Sequence, residues 1–203
     1  MRGKKRSPYK LALDDLYVRL CGFVHLTKTE FGQLLRYMEI REFDKKVRVL
    51  ERGETEKHIN LVAAGLVRKY LEVRKQEIIF QLAEEGHPIY SEISFHSRTP
   101  SELTIETIEP TTLISISYDS LEEVFMKFPK AERLGRLLVS DLFVRKDMNY
   151  FNQLEKTTRQ RFLEYVRSHP QLLQRVPQKY IASYLNIKPE TFSRLKHLLK
   201  GKK

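Results

Sequence analysis

The chain has 203 residues, of which 41% are hydrophobic and 31% are charged, and its formal net charge is +11. A chain of this length can bury two modest cores or one large core. No apolar run approaches the ~18 residues that a membrane-spanning helix needs, and the basic N-terminus is not followed by the apolar stretch of a signal peptide. We therefore expect a cytoplasmic protein of two small domains without a membrane partner.

The positive charge is concentrated at the two ends of the chain. Residues 1–10 carry five bases and no acid, and residues 156–203 carry 12 bases and two acids, a net charge of +10. Residues 11–155 between them have a net charge of −4. A basic segment of this kind is the usual electrostatic signature of a protein that binds a phosphate backbone. The charge pattern therefore points to nucleic acid as a partner of the C-terminal segment.

The segment after the basic tail is predicted to be helical. Thr27 is followed three residues later by Glu30, which is the spacing of a capping box at a helix N-terminus. Apolar residues recur around it at roughly helical spacing, at Leu11, Leu16, Leu20, Phe31, Leu34, Leu35 and Met38.

From about Ile40 to Tyr118 the pattern changes to short β-rich runs. These runs are KVRVLE, HINLVAAG, LVRKYLEV, EIIFQLA, PIYSEISF, LTIETIE and TLISISY. Glycine- and proline-containing turn signals separate them, at Gly53, Gly65, Gly86, Pro100 and Pro110. Many short strands at this spacing predict an antiparallel barrel or jelly roll.

A long helix is predicted to follow the strands. Residues 120–128 form a short helical run that Pro129 ends, and residues 131–155 contain no proline and only one glycine. The apolar face of this second run is wider than packing on one domain needs, which favours a partner helix and hence a homodimer. Packing on the barrel is the alternative. The candidate dimer residues are Leu134, Leu137, Leu138, Val144, Met148 and Phe151.

Residues 178–199 fit a helix-turn-helix position by position. The inward positions are apolar, at Ile181, Ala182, Leu185, Ile187, Phe192 and Leu195. Asn186 falls at the tight turn, where asparagine tolerates a left-handed backbone, and Pro189 falls on the first turn of the second helix. Two amphipathic helices packed on a core would show the same periodicity, but the net charge of the segment favours DNA.

The order of these elements resembles the Crp/Fnr family of bacterial transcription regulators over nearly the whole chain. The marks are Arg52-Gly53-Glu54 followed by INLVAAGLVRKYL, SEISF at the start of a phosphate-binding cassette, and IASYLNIKPETFSRL in the helix-turn-helix. The resemblance implies an α+β chain with a cyclic-nucleotide-binding-like jelly roll (a double-stranded β-helix), a long dimerisation helix and a C-terminal winged helix-turn-helix. The expected domains are a basic tail (1–10), a β-roll sensor with flanking helices (11–130), the linking helix (131–155) and the DNA-binding domain (156–203).

The ligand cassette of the family does not carry over cleanly. Members that bind a cyclic nucleotide have a Gly-Glu pair, whose glutamate meets the ribose hydroxyl, and then an arginine at the cyclic phosphate. Here Ser91 replaces the glycine, Glu92 matches the glutamate, and Thr99-Pro100-Ser101-Glu102 stands where the arginine belongs. Arg98 is close by but is expected at a turn, and a carboxylate at Glu102 would repel a phosphate. The resemblance therefore implies a degenerate pocket of Ser91, Glu92, Ile93, Arg98, Ser101 and Glu102. We do not expect cyclic AMP in the usual way, and an unknown effector or none remains open.

Catalytic and metal chemistry find no support in the sequence. Cys21 is the only cysteine, so it cannot form an intramolecular disulfide or hold an iron–sulfur cluster by itself. The six histidines show no ligand spacing such as H-x-H or H-E-x-x-H, and no nucleophile motif or P-loop is present. We therefore expect no enzyme activity, no catalytic residues, no metal site and no certain cofactor.

The predicted partners are double-stranded DNA, a second copy of the chain and, by resemblance, RNA polymerase. Glu190 and Arg194 match positions that read base edges in family members, although a non-specific phosphate contact is the alternative for Arg194. Pro189 stands where the family often has an arginine, which removes one base reader. The expected phosphate contacts are Lys179, Lys188, Thr191, Ser193 and Lys196. A rival function is a ligand-sensing or protein-interaction β-roll whose basic C-terminus binds an acidic partner or a membrane surface.

Overall fold

The computed structural model describes residues 8–200, so most of the predicted basic tail lies outside the described residues. The described chain is α+β. Its helices are α1 (Pro8–Cys21), α2 (Lys28–Leu35), α3 (Glu92–Ser97), α4 (Tyr118–Lys127), α5 (Pro129–Glu155), α6 (Thr158–Ser168), α7 (Leu172–Arg175), α8 (Gln178–Tyr184) and α9 (Pro189–Lys200). Its strands are β1 (Met38–Phe43), β2 (Arg48–Leu50), β3 (His58–Ala64), β4 (Val67–Val73), β5 (Gln76–Ala83), β6 (Pro88–Ile89), β7 (Thr104–Thr107) and β8 (Thr111–Ser117).

The chain divides into two compact units whose segments alternate along the sequence. The first unit comprises the described residues up to Leu71 together with Gln81–Ser140, and the second comprises Glu72–Phe80 together with the described residues from Asp141 onward. These bounds differ from the expected domains at two places. Helix α5 is shared between the units, and the tip of the β4–β5 hairpin belongs to the second unit.

The first unit is built around a jelly roll of two four-stranded antiparallel sheets. The strand orders are β1-β8-β3-β6 and β2-β7-β4-β5. Alternating side chains from the two inner faces meet in a core of Leu50, Val62, Val67, Ala83, Ile89, Ile105 and Leu113. This arrangement confirms the antiparallel roll that the short, evenly spaced β-rich runs predict.

One predicted strand is wrong in its second half. Of the run PIYSEISF only residues 88–89 form a strand, and residues 92–97 form helix α3. The backbone N–H of Phe95 donates to the carbonyl of Ser91, one helical turn earlier. Ile93 is 77% exposed whereas Phe95 is 1% exposed. The β propensity of both residues suggested a strand, but tertiary packing decides this short segment.

Helices α1, α2, α4 and the start of α5 pack together beside the roll. Their shared core contains Leu20, Leu26, Phe31, Leu34, Val124, Ala131 and Leu134. At the start of α2, the Thr27 side chain accepts from the Glu30 N–H and the Glu30 side chain accepts from the Thr27 N–H, which confirms the predicted capping box. Leu134 is only 5% exposed, so its role is in this core and its assignment to the dimer face is wrong.

The second unit contains helices α6 to α9, the C-terminal part of α5 and the hairpin tip. Its core is helical, and the Phe162 and Phe192 rings meet edge to face with centroids 5.3 Å apart. The short helix α7 was not predicted from the sequence. Between residues 141 and 200 every regular element is a helix, so strands of a wing are not found in that range.

Within the second unit, the hairpin tip is held by one side chain of α8. The Ser183 hydroxyl accepts from the Ile79 N–H at 3.0 Å and donates to the Glu77 carbonyl at 3.1 Å. Strand β5 is the edge of its sheet, and an unpaired edge exposes backbone polar groups. The Ser183 hydroxyl therefore bonds to two backbone groups of this edge, a donor and an acceptor.

Candidate functional site

Helices α8 and α9 form the predicted helix-turn-helix. Asn186 adopts a φ of +54° at the turn between them, as expected for a residue that tolerates the left-handed region. The Ile187 N–H donates to the Ala182 carbonyl at 2.9 Å, and the Phe192 N–H donates to the Lys188 carbonyl at 3.0 Å, which closes the first turn of α9. The turn is thus fixed by the backbone.

The inward face of this motif is buried as the sequence predicts. Ile181 and Phe192 are 0% and 1% exposed, and Ala182 and Leu195 are buried as well. Leu185 and Ile187 at the turn are half-buried. Because these positions pack inward at helical spacing, the intervening side chains of α9 must point away from the core.

The predicted DNA-contacting residues lie on α8, directly before α9 and on α9. Lys179, Lys188, Glu190, Ser193 and Arg194 are exposed, and Thr191 and Lys196 are half-buried. Glu190 and Arg194 lie one turn apart, so both side chains are on the same helix face. Within the described part of the chain, neither side chain makes an internal hydrogen bond or ion pair. The motif therefore leaves the Glu190 and Arg194 side chains available on one face, beside several basic and hydroxyl side chains.

The C-terminal part of α5 carries large apolar side chains that are exposed. Val144, Met148 and Phe151 are 58%, 56% and 59% exposed, and their spacing places them on one face. Phe143 and Leu154 are exposed at 65% and 67% as well. Of the remaining predicted dimer residues, Leu137 and Leu138 are half-buried. Leu138 packs against the core of the first unit.

In the jelly roll, the hydroxyls of the predicted ligand cassette bond to other groups of the chain. The Ser91 and Ser101 hydroxyl oxygens are 2.9 Å apart and share a hydrogen bond, and both residues are 2% exposed. The N–H of Ser91 donates to a Glu56 carboxylate oxygen at 3.2 Å. The structure therefore brings Ser91 and Ser101 together, in the interior rather than at an open surface.

Glu92 has a partner that the sequence does not reveal. The Lys69 ammonium lies 2.6 Å from Glu92 Oε2 and 2.9 Å from the Tyr90 carbonyl. Lys69 is 4% exposed. The only signal in the sequence is a lysine in the middle of the apolar strand run LVRKYL, which could equally have pointed to solvent.

The other predicted cassette residues are not assembled around a common site. Arg98 ends α3 with a φ of +54°, as expected for a turn residue, and its guanidinium stacks 4.1 Å from the centre of the Tyr118 ring. Glu102 pairs with Arg52 at 2.6 Å, and both side chains are more than half exposed. Ile93 also points to solvent. The Arg98 guanidinium therefore interacts with Tyr118 and the Glu56 carbonyl, and the cation beside Glu92 is Lys69.

Buried charge perturbs several groups of this interior. Burial raises the pKa of the Glu56 carboxyl, although backbone N–H donors from His58 and Ser91 act in the opposite direction. Burial also raises the pKa of the Tyr90 hydroxyl, and the nearby Glu92 and Glu56 carboxylates add to that shift. Burial lowers the pKa of the neighbouring His58 imidazole. In each of these groups, removal from water disfavours the charged form and so shifts the pKa in the stated direction.

Among residues 8–200 no group of three or more histidine, cysteine or acidic side chains could hold a metal ion. The Cys21 thiol contacts the Leu26 carbonyl at 3.6 Å beside the helical core. No helix in the same range is both long and apolar enough to cross a membrane.

No protein-family model and no curated protein sequence matches the chain. Solved structures do match it. The c-di-GMP-responsive global regulator CLP of Xanthomonas campestris aligns with a TM-score of 0.64 at 15% identity, over 83% of this chain and 89% of that one. FixK2 of Bradyrhizobium japonicum aligns with a TM-score of 0.65 at 19% identity, over 80% and 84% of the two chains.

A third match is the catabolite activator protein of Thermus thermophilus, with a TM-score of 0.52 and 20% identity over 96% of this chain and 87% of that one. The chain has the Crp/Fnr fold. The likeness confirms the architecture that the resemblance implied, with a cyclic-nucleotide-binding-like roll and a helix-turn-helix on one chain. The low identity agrees with the divergent Crp/Fnr cassette found here.

Proposed function

We infer that the protein is a sequence-specific DNA-binding transcription regulator and not an enzyme. The observation that carries this proposal is the outward face of α9. It presents Glu190 and Arg194 on a helix whose opposite side packs Phe192 and Leu195 inward, in a segment with a net charge of +10. A helix of this kind fits the major groove, and the basic side chains around it can contact the DNA phosphates.

In this proposal the protein binds a pseudo-palindromic operator as a homodimer. The exposed apolar face of α5, formed by Val144, Met148 and Phe151, would pack on the same face of a second copy. A two-fold dimer would present two α9 helices to successive major grooves about 34 Å apart. RNA polymerase is then the expected protein partner of the bound dimer in the cytoplasm.

The roles of the α9 side chains follow from their chemistry. Arg194 can donate two hydrogen bonds to guanine O6 and N7, and Glu190 can accept from the cytosine amine. Lys179, Lys188 and Lys196 carry charge without directional base recognition, and so position the helix on phosphate; Thr191 and Ser193 add hydroxyl donors.

The test begins with selection of bound sites from a random duplex library by the purified full chain. On the selected site, Arg194→Ala is expected to relax the preference at one base position, a loss of ~1–3 kcal/mol of discrimination. Lys196→Ala is expected to weaken selected and random duplexes alike, and to reduce the slope of log affinity against log salt by about one unit.

Fluorescence anisotropy titrations at several salt concentrations measure both effects. Equal losses for the two variants on selected and random DNA would show that Arg194 contacts phosphate rather than a base. Absence of any duplex preference at physiological salt would instead favour the rival function, a β-roll module whose basic segment binds an acidic partner.

A further inference from the structure

A buried ammonium occupies the interior of the jelly roll. Lys69 lies on β4 two residues after Val67, which belongs to the interior core. Because side chains alternate along a strand, the two residues point to the same face, and the Lys69 side chain enters the roll. Its side chain is 5% exposed and that of Glu92 is 20% exposed.

A buried ion pair of this kind is not explained by stability alone. Removing two charges from water costs about as much as their attraction returns, and a well-packed apolar pair of similar volume is often as stable. The Lys69–Glu92 pair does have a directional consequence. It fixes the carboxylate of the first residue of α3 at 2.6 Å, and the second acceptor at Tyr90 fixes the strand end before α3.

The groups around this pair are bonded to the chain itself. Ser91 bonds Ser101 and Glu56, and the Arg98 guanidinium donates to the Glu56 carbonyl at 2.9 Å. These contacts tie α3 to residues on both sides of it in the sequence. A small molecule that bonded Glu92 Oε2 would compete with the Lys69 ammonium for that oxygen.

We propose that Lys69 is a built-in ligand of the sensor, whose ammonium takes the position beside Glu92 that a bound effector would otherwise occupy. The roll then holds α3 in one arrangement without a small molecule. This inference rests on the proposed function in one respect: if the protein binds DNA, it would do so without an effector. Its structural content is independent of DNA.

The substitution Lys69→Ala removes three methylene groups and the ammonium from the side chain. The removed atoms correspond to n-propylammonium. The variant is expected to lose stability because Glu92 keeps a carboxylate without its cation. Added n-propylammonium is expected to restore it. At ten times its Kd a ligand of the folded state lowers the unfolding equilibrium constant about elevenfold.

The experiment measures thermal and urea unfolding of the full chain without DNA. Propan-1-ol serves as the neutral probe of the same size. The matched control variant is Lys127→Ala, which removes a lysine that pairs with Glu123 at the surface. Selective stabilisation of Lys69→Ala by n-propylammonium, with none in the wild type or the control variant, supports the proposal. Equal effects of the amine and the alcohol, or none, overturn it.

Two further measurements keep the proposal open to refutation if Lys69→Ala does not fold. Lys69→Met combined with Glu92→Gln is expected to be more stable than Lys69→Met alone, since the double variant removes the charge of the carboxylate from which Lys69→Met takes the ammonium. The reverse order overturns the proposal. Stabilisation of the wild-type chain by cyclic AMP or cyclic GMP overturns it as well, because the site would then be open. Failure of duplex binding refutes the proposed function and leaves these unfolding results unaffected.

Discussion

Gly65 closes the turn between β3 and β4 with a φ of +98°, a region that favours glycine. A Cβ atom added there would lie 2.5 Å from the Pro110 carbonyl oxygen and 2.6 Å from the Thr111 hydroxyl. The first contact is with backbone, which cannot rotate away. Both the turn conformation and the packing against the β7–β8 connection therefore require a residue without a side chain.

Gly65→Ala is expected to destabilise the protein by about 3 kcal/mol, since backbone strain and a steric clash add. The matched control is Gly32→Ala in α2, where a Cβ would have nothing within 4 Å. Alanine there is expected to stabilise the protein by about 0.5–1 kcal/mol, because glycine loses more backbone conformational entropy than alanine when it enters a helix. Urea unfolding of both variants provides the comparison. Similar unfolding midpoints would contradict the conclusion that position 65 requires glycine.

The role of a single residue can be predicted from the sequence when its own backbone preference determines that role. It cannot be predicted when a partner far away in the chain determines it. Asn186 was predicted in a left-handed turn because its own backbone preference identifies it. The role of Lys69 was not predicted, because its partner Glu92 lies 23 positions later and only the folded roll brings the two together. The contact of Ser183 with β5 could not be predicted either, because the two lie far apart in the chain.

Helix α5 joins two environments in one continuous element. Near its start Ala131 and Leu134 are buried in the helical core, whereas from Phe143 onward its large apolar side chains are exposed. The sequence predicted the helix itself correctly, because an uninterrupted apolar periodicity over so many residues has few alternatives. It could not show which apolar residues pack within the chain, so Leu134 was assigned to the wrong face.

Phe151→Asp is expected to dissociate the proposed dimer. Truncating a central aromatic residue of an interface costs about 2 kcal/mol or more, which corresponds to a roughly 30-fold or greater rise in the dimer dissociation constant. The control is Asn149→Asp, which adds the same charge on another face of α5. Light scattering after size exclusion at several concentrations reports the mass, and an unchanged dimer in Phe151→Asp would place the interface elsewhere.

Short elements were the least predictable. The segment that became α3 has strand-forming residues, and four-residue α7 carries too few turns for a helical period to be visible. Conversely, the eight-strand roll was predicted as a class because its turns recur regularly, although the pairing order of its strands is set by contacts between distant residues. The sequence thus supports elements with long or repeated patterns and leaves their partners undetermined.

At the scale of the whole molecule, positive charge is concentrated in the segment that contains the helix-turn-helix. Residues 11–155 have a net charge of −4 and residues 156–203 have +10. A phosphate backbone attracts the second segment and not the first. If the chain binds DNA as proposed, this separation would orient an approaching duplex toward the helix-turn-helix before any base is contacted.

A dimer with two reading helices makes operator spacing a test of the assembly. Inserting five base pairs, about half a helical turn, between the half-sites of the selected operator is expected to place them on opposite sides of the duplex. Affinity should then fall toward that of one half-site. Anisotropy titrations compare this duplex with one whose spacer has a changed sequence but the original length. Undiminished affinity for the inserted site would exclude the rigid two-fold arrangement.

The hairpin tip gives the second unit an unusual assembly history. Ile79 and the Ser183 hydroxyl that caps it are separated by 104 positions in the chain. During synthesis the tip therefore leaves the ribosome well before α8, so the Ser183 hydroxyl can bond to this edge only after α8 has emerged. The second unit is thus complete only after α8 and α9 have been synthesised, and a fragment cut anywhere between its two segments lacks part of it.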